Sequence, residues 1–171
     1  RVSFNGLAPD YYYRLRDDGS YWNGSGCGNE FRSEAPMARK YIIDSLKYWV
    51  QEYKVDGFRF DLLGLIDLET VKLFTQELKK IKPDILIYGE PWTGGASAVP
   101  YATTKGTQKN QGFGVFNDNF RNAIKGGVSD KTKGYIQAGN NVAGIKKGVI
   151  GSITDFLCPT NRNNKLYRMS R

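Results

Sequence analysis

The sequence predicts an α/β fold with parallel strands, and three observations lead there. A helical apolar period over Pro36–Tyr53 gives way to an alternating run at residues 55–61. The same change recurs between a helical stretch at Leu68–Ile81 and an apolar run at residues 85–90. The two runs end on carboxylates, Asp61 and Glu90, 29 residues apart, close to the ~30 of a strand-helix-strand unit. Helix, strand, helix, strand is the grammar of a parallel sheet covered by helices.

Each element has its own signals. Residues 1–34 read as a loop region, with an extended run at Tyr11-Tyr12-Tyr13-Arg14 and a turn at Asp17-Asp18-Gly19-Ser20. The glycine-rich residues 23–29 lack the preceding strand and following Lys-Ser/Thr of a phosphate loop, so a flexible connection is expected. Pro36 suits the first turn of the first helix. Ile42, Leu46, Trp49, Val50 and Tyr53 form its apolar stripe, and Asp44 and Lys47 are expected to pair on its outer side. In the second helix Asp67 is the expected N-cap. Val71, Phe74, Leu78 and Ile81 make the buried face, and Lys79, Lys80 and Lys82 sit where the helix dipole favours cations. Beyond Trp92, residues 115–121 predict a short strand running into a helix capped by Asn117 or Asp118, ended by Lys125-Gly126-Gly127. A further helix is expected around residues 140–147.

Composition narrows the chemistry. The 171 residues suffice for one domain, and 40% hydrophobic with 13% aromatic content argues for a folded protein. Net charge is +8, but the basic residues are spread out, so no nucleic-acid partner is expected. No apolar run of membrane-spanning length occurs. The chain has two cysteines, Cys27 and Cys158, without metal-ligand spacing, and no histidine. No metal or other cofactor is expected, every mechanism needing an imidazole from this chain is excluded, and carboxylate chemistry remains. A disulfide and the cellular compartment stay open.

The carboxylates sit in a suggestive frame. On the strand Val55-Asp56-Gly57-Phe58-Arg59-Phe60-Asp61, alternate residues share a face, so Arg59 and Asp61 lie side by side while Phe58 and Phe60 pack opposite. The reading places this pair in a core, with the arginine favouring the charged form of the acid. Taken alone, Asp61 is more simply a helix cap or turn former. With Glu90 ending the next parallel strand, both acids fall on one rim of the sheet, where catalytic groups of strand-helix barrels collect. Paired acids on a rim suit glycoside hydrolysis.

Asp56-Gly57-Phe58-Arg59-Phe60-Asp61 with Tyr88-Gly89-Glu90-Pro91-Trp92 resembles the α-amylase superfamily of glycoside hydrolases. Residues 23–29, 41–50 and Phe116-Asn117-Asp118 bring the resemblance closer to type I pullulanases, over roughly residues 4–156. The resemblance implies an interrupted (β/α)8 barrel of the TIM type and a retaining mechanism. Asp61 would be the nucleophile and Glu90 the general acid/base. Arg59 would hold Asp61 charged and oriented, and Trp92 would line the sugar subsites. The bond cut would be α-1,6, in an α-glucan such as pullulan, glycogen or amylopectin.

The departures are as informative. The family's His-Asp and Asn-His motifs have no counterpart in a chain without histidine. The expectation is a partial barrel, only its middle strands and helices, over residues 1–156, with residues 157–171 an aberrant basic tail from a shifted reading frame or truncated gene. Little activity is expected of the chain alone. The rival readings are a non-catalytic α-glucan-binding module using Trp22, Trp92 and the tyrosines, and a truncated product without function.

Overall fold

The alternation at residues 55–61 resolves as strand β1 (Gly57–Phe60), which pairs in parallel with β2 (Leu86–Gly89); β2 in turn pairs in parallel with β3 (Gly114–Val115). This sheet comes from a computed structural model that describes residues 3–128, 131–139 and 141–150. Register sets Arg59 opposite Tyr88 and Gly57 opposite Leu86, so one face carries Arg59, Leu86 and Tyr88. The other face carries Phe58, Phe60, Ile85 and Ile87, and helices α1 (Pro36–Tyr53) and α2 (Leu68–Ile81) cover it. Their Leu46, Val50, Val71, Phe74 and Leu78 close the core with Phe113 and Val115, and Phe60 stacks on Phe74 at 4.9 Å. Each such side chain stabilises the fold by about 1.5–3 kcal/mol relative to exposure.

The face bearing Arg59 has no helix over it among the described residues, and Leu86 there is 56% exposed. Each outer strand of the sheet has a single paired neighbour, β2, among the same residues. The structure is therefore a small α/β unit with a three-stranded parallel sheet. No helix among the described residues is long and apolar enough to cross a membrane. The expected 157–171 tail and Cys158 lie outside the described residues.

Helix bounds follow the sequence closely, but their surroundings differ. Pro36 opens α1, and Asp67 caps α2 by accepting the Thr70 N–H at 3.0 Å. The apolar stripe of α1 is wider than its buried face. Trp49 and Tyr53 are 45% and 59% exposed, because α1 turns Ala38, Leu46 and Val50 inward and packs against α2 on that side. Ile81 at the last position of α2 is exposed as well. Asp44 pairs with Lys40, one turn back, and not with Lys47. Lys47 is drawn instead to Glu77 on α2, at 3.4 Å. After β3, Asn117 and not Asp118 caps α3 (Asp118–Lys125), accepting the Phe120 N–H at 3.0 Å, while Asp118 pairs with Lys105. A short helix α4 (Tyr135–Ala138) precedes α5 (Val142–Ile150), the counterpart of the helix expected at 140–147.

The largest difference lies in the N-terminal region expected to be loop. Arg14 pairs with two other segments through backbone hydrogen bonds, Arg14 N–H to Glu30 and Trp22 N–H to Arg14, each 2.9 Å. Glu30 N–H completes the set by donating to Trp22. Phe4 packs within 5.5 Å of Tyr12, Phe31 and Tyr41, which seats this meander on α1. The glycine-rich residues 23–29 are pinned and not a free connection. Gly24 donates to Glu30 at 2.9 Å and accepts from Gly95 at 2.8 Å, and a Cβ at Gly24 would lie 2.5 Å from the Glu30 carboxylate.

Beneath the meander runs a buried polar network. Arg14 donates to Glu30 at 2.9 Å, to the Leu65 carbonyl at 3.1 Å, to Ser33 at 3.0 Å and to Glu34 at 2.6 Å. Ser33 passes the chain on to Asp67 at 2.7 Å, and Arg39 reaches Asp67 at 3.1 Å. Burial pushes the Asp67 carboxyl up, but hydrogen bonds from Thr70 and Ser33 and the Arg39 charge outweigh it, leaving it below its ordinary 3.8. A carboxyl lowered by folding contributes stability that is full above its ordinary value and is lost as pH falls through the folded-state value. Thermal melts of Asp67→Asn should therefore lose less stability than the parent as pH drops below 3.8. Equal acid sensitivity in both would contradict this.

Candidate active site

The sheet's open face brings the two acids of the sequence together. Asp61 follows β1 and Glu90 follows β2, so parallel pairing puts both at the same end. One guanidinium spans them: Arg59 Nη1 donates to Asp61 Oδ1 at 3.0 Å, and Arg59 Nη2 to Glu90 Oε1 at 2.9 Å. The planar fork of arginine suits two acceptors at once. The sequence places this pair in a core. In the structure Arg59 is 41% exposed, because no helix covers that face among the described residues.

The acids differ in setting. The Asp61 side chain is 74% exposed, and that of Glu90 only 17%. Glu90 also accepts the Leu62 N–H on Oε2 at 2.9 Å, and its backbone bonds to Phe60 and Gly64 at 3.1 Å each. Leu62 reaches this position with φ 43° and ψ 52°, a left-handed conformation uncommon for a non-glycine residue. Gly64 lets the turn lie on the next segment: a Cβ there would stand 2.5 Å from the Trp92 backbone. Glu90 is thus held at both oxygens, whereas Asp61 projects toward solvent with Arg59 at its side.

An aromatic wall stands next to Glu90. Phe116, just past β3, lies 5.5 Å from Tyr88 and 6.4 Å from Trp92, and the Arg59 guanidinium sits 5.6 Å from its ring centre. Asp61 also lines a mostly apolar cavity of about 490 Å³ with Phe4, Phe31, Tyr41, Ile42 and Leu62. All four residues singled out from the sequence, Arg59, Asp61, Glu90 and Trp92, therefore gather at one end of the sheet. The Arg16 guanidinium lies over one face of the Trp22 ring, 4.7 Å from its centre. No group of three or more His, Cys, Asp or Glu that could hold a metal occurs among the described residues.

Sequence reasoning missed Phe116, Tyr88, Leu62 and Gly64 as parts of the site. The sequence predicts a short strand running into a helix at residues 115–121, but not which groups the Phe116 ring meets, and a left-handed leucine has no sequence signature. Gly64, directly after the apolar Leu62-Leu63, is a turn signal.

Chemically, the site pairs an anchored, sheltered carboxyl with an exposed one across a shared cation, beside flat apolar rings. Such a pair can supply a proton donor and a nucleophile to one bond.

No family model matches the chain. A curated relative, the pullulanase of Bacillus subtilis (strain 168), is 40% identical over 154 residues, covering 87% of this chain and 21% of its own length. The solved pullulanase from Bacillus acidopullulyticus superposes with a TM-score of 0.85 at 54% identity, over 90% of this chain and 19% of that one. The Anoxybacillus sp. LM18-11 pullulanase complexed with maltotriose gives 0.81 at 37% identity, over 88% of this chain and 22% of that one. The chain thus spans about a fifth of the length of these relatives.

Proposed function

We propose that this chain, which over most of its length matches one segment of pullulanases, is the middle of a (β/α)8 barrel and carries the carboxylate pair of a retaining debranching hydrolase. The observation that supports this reading best is the single guanidinium bonded to both Asp61 and Glu90. Two carboxyls sharing one arginine are close, and retention requires about 5–5.5 Å between them. The unequal settings fit unequal roles. Asp61, exposed and beside a cation, is the nucleophile. Glu90, sheltered and anchored, is the acid/base.

In the first step an Asp61 oxygen bonds to the anomeric carbon as the glycosidic bond breaks, and Glu90 gives its proton to the departing oxygen. In the second, Glu90 takes a proton from water, whose oxygen bonds to the anomeric carbon and frees Asp61. Two displacements on opposite faces return the original α configuration. Arg59 orients both carboxylates, and Trp92, with Tyr88 and Phe116, lines the sugar path. The bond is the α-1,6 link of an α-glucan such as pullulan, glycogen or amylopectin; the maltotriose held by the Anoxybacillus relative supports the α-glucan class of that substrate.

The chain alone is expected to show little activity. Among the described residues the sheet face is open and each outer strand has one paired neighbour, so they supply no far wall for the substrate. The test is a hybrid in which residues 3–150 replace the matching segment of the Bacillus subtilis pullulanase. Reducing ends released from pullulan are measured for the hybrid and for the 171-residue chain. The hybrid should hydrolyse pullulan, and the chain should fall about 10³-fold or more below it, as when parts of one catalytic unit are removed. A folded hybrid without activity, or a chain as active as the hybrid, would refute this reading.

A further inference from the structure

We propose that Leu62 and Gly64 are positioning residues for the proton donor: the Leu62 N–H anchors Glu90 Oε2, which leaves Oε1, the oxygen that shares the Arg59 guanidinium with the Asp61 carboxylate, to work at the glycosidic oxygen. The inference rests on the acid/base reading of Glu90. Oε1 faces Arg59 Nη2, whose partner nitrogen holds Asp61, so this oxygen borders the space between the two acids. Oε2 takes the backbone donor that follows Asp61, 2.9 Å off, which no side-chain rotation can remove.

Two features make the anchor possible. The left-handed turn at Leu62 aims its N–H back toward β2. Non-glycine residues hold such a conformation only where packing over-determines it, and Leu62 lines the cavity beside Ile42 and Ile66. Gly64 then lets the turn rest on the Trp92 backbone and donates to the Glu90 carbonyl at 3.1 Å. A methyl group at Gly64 has only backbone to meet, at 2.5 Å, so the residue 62–64 turn and the residue 90–92 segment must separate. The anchor on Oε2 separates with them.

The experiment is a pH titration of the ¹⁵N-labelled full chain followed by NMR. The Leu62 amide should move in step with the Glu90 carboxyl, several times further than the Leu63 amide, and the response should vanish in Glu90→Gln. Leu62→Gly, which keeps both the N–H and the left-handed turn, should retain it. Gly64→Ala should lose most of it while the Ile87 and Phe74 signals of the core stay in place. A Leu62 amide indifferent to Glu90, or full coupling in Gly64→Ala, overturns the proposal. If Gly64→Ala does not fold, the titration in the parent and in Leu62→Gly decides. Failure of the acid reading looks different: coupling present, yet Glu90→Gln without effect on pullulan hydrolysis by the hybrid.

Discussion

Asparagine at position 61 should cut pullulan hydrolysis by the hybrid about 10⁴-fold, the scale seen when a nucleophile is removed from a concerted site. The amide keeps the shape and can still accept from Arg59, so the loss isolates the missing negative charge and not a lost fold. Glu90→Gln provides the contrast. An acid matters in proportion to how badly the leaving group needs its proton, so pullulan hydrolysis should drop about 10²–10⁴-fold. A maltosyl fluoride, which leaves as fluoride without protonation, should still undergo the first step and accumulate a sugar ester on Asp61. Stopped-flow fluoride release and intact-mass measurement read both. If Glu90→Gln slows both substrates equally, Glu90 is not the acid. If Asp61→Asn keeps even a tenth of the activity, Asp61 is not the nucleophile.

The second large effect concerns stability. Arg14→Met should destabilise the chain by about 3–5 kcal/mol, because it leaves a buried carboxylate without its cation. Arg14 and Glu30 are both buried, and Glu30 also accepts from Gly24 and from Ser97 at 2.6 Å. Glu30 therefore ties three segments together, and its unpaired charge would loosen all of them. Arg14→Met combined with Glu30→Gln should recover much of the loss, since a neutral amide costs far less to bury than an ion. Urea unfolding of the parent, the two single variants and the double variant measures this as a double-mutant cycle. Simple additivity would mean the pair is not coupled and the network is mere crowding.

The same network shows where sequence reasoning stopped. Its members, Arg14, Glu30, Ser33, Glu34, Arg39 and Asp67, span more than fifty residues, and no local period links them. Only Asp67 carried a sequence signal, as a helix cap, and that role holds in the structure alongside its ion pair with Arg39. The meander around Arg14 reads as loop in the sequence because its pairings are single bridges, too short to impose alternation. Trp49 and Tyr53 err in the other direction. The helical period is real, but a period states which residues share a face, not what the face meets.

What the sequence determined by itself is whatever depends on near neighbours along the chain. Periods of 3.6 and 2 set α1, α2, β1 and β2 and most of their buried residues, Leu46, Val50, Val71, Phe74 and Leu78 among them. Parallel pairing then followed from the helix between the strands, and with it the meeting of Asp61 and Glu90 at one end of the sheet. What only the tertiary structure decided is how those groups are held. One guanidinium spans both acids, the Leu62 N–H grips Glu90, and the Phe116 ring meets Tyr88, Trp92 and Arg59. The physical reason is common to all three. Hydrogen bonds and ring contacts between segments depend on ångström-scale placement, and local propensity carries no record of that.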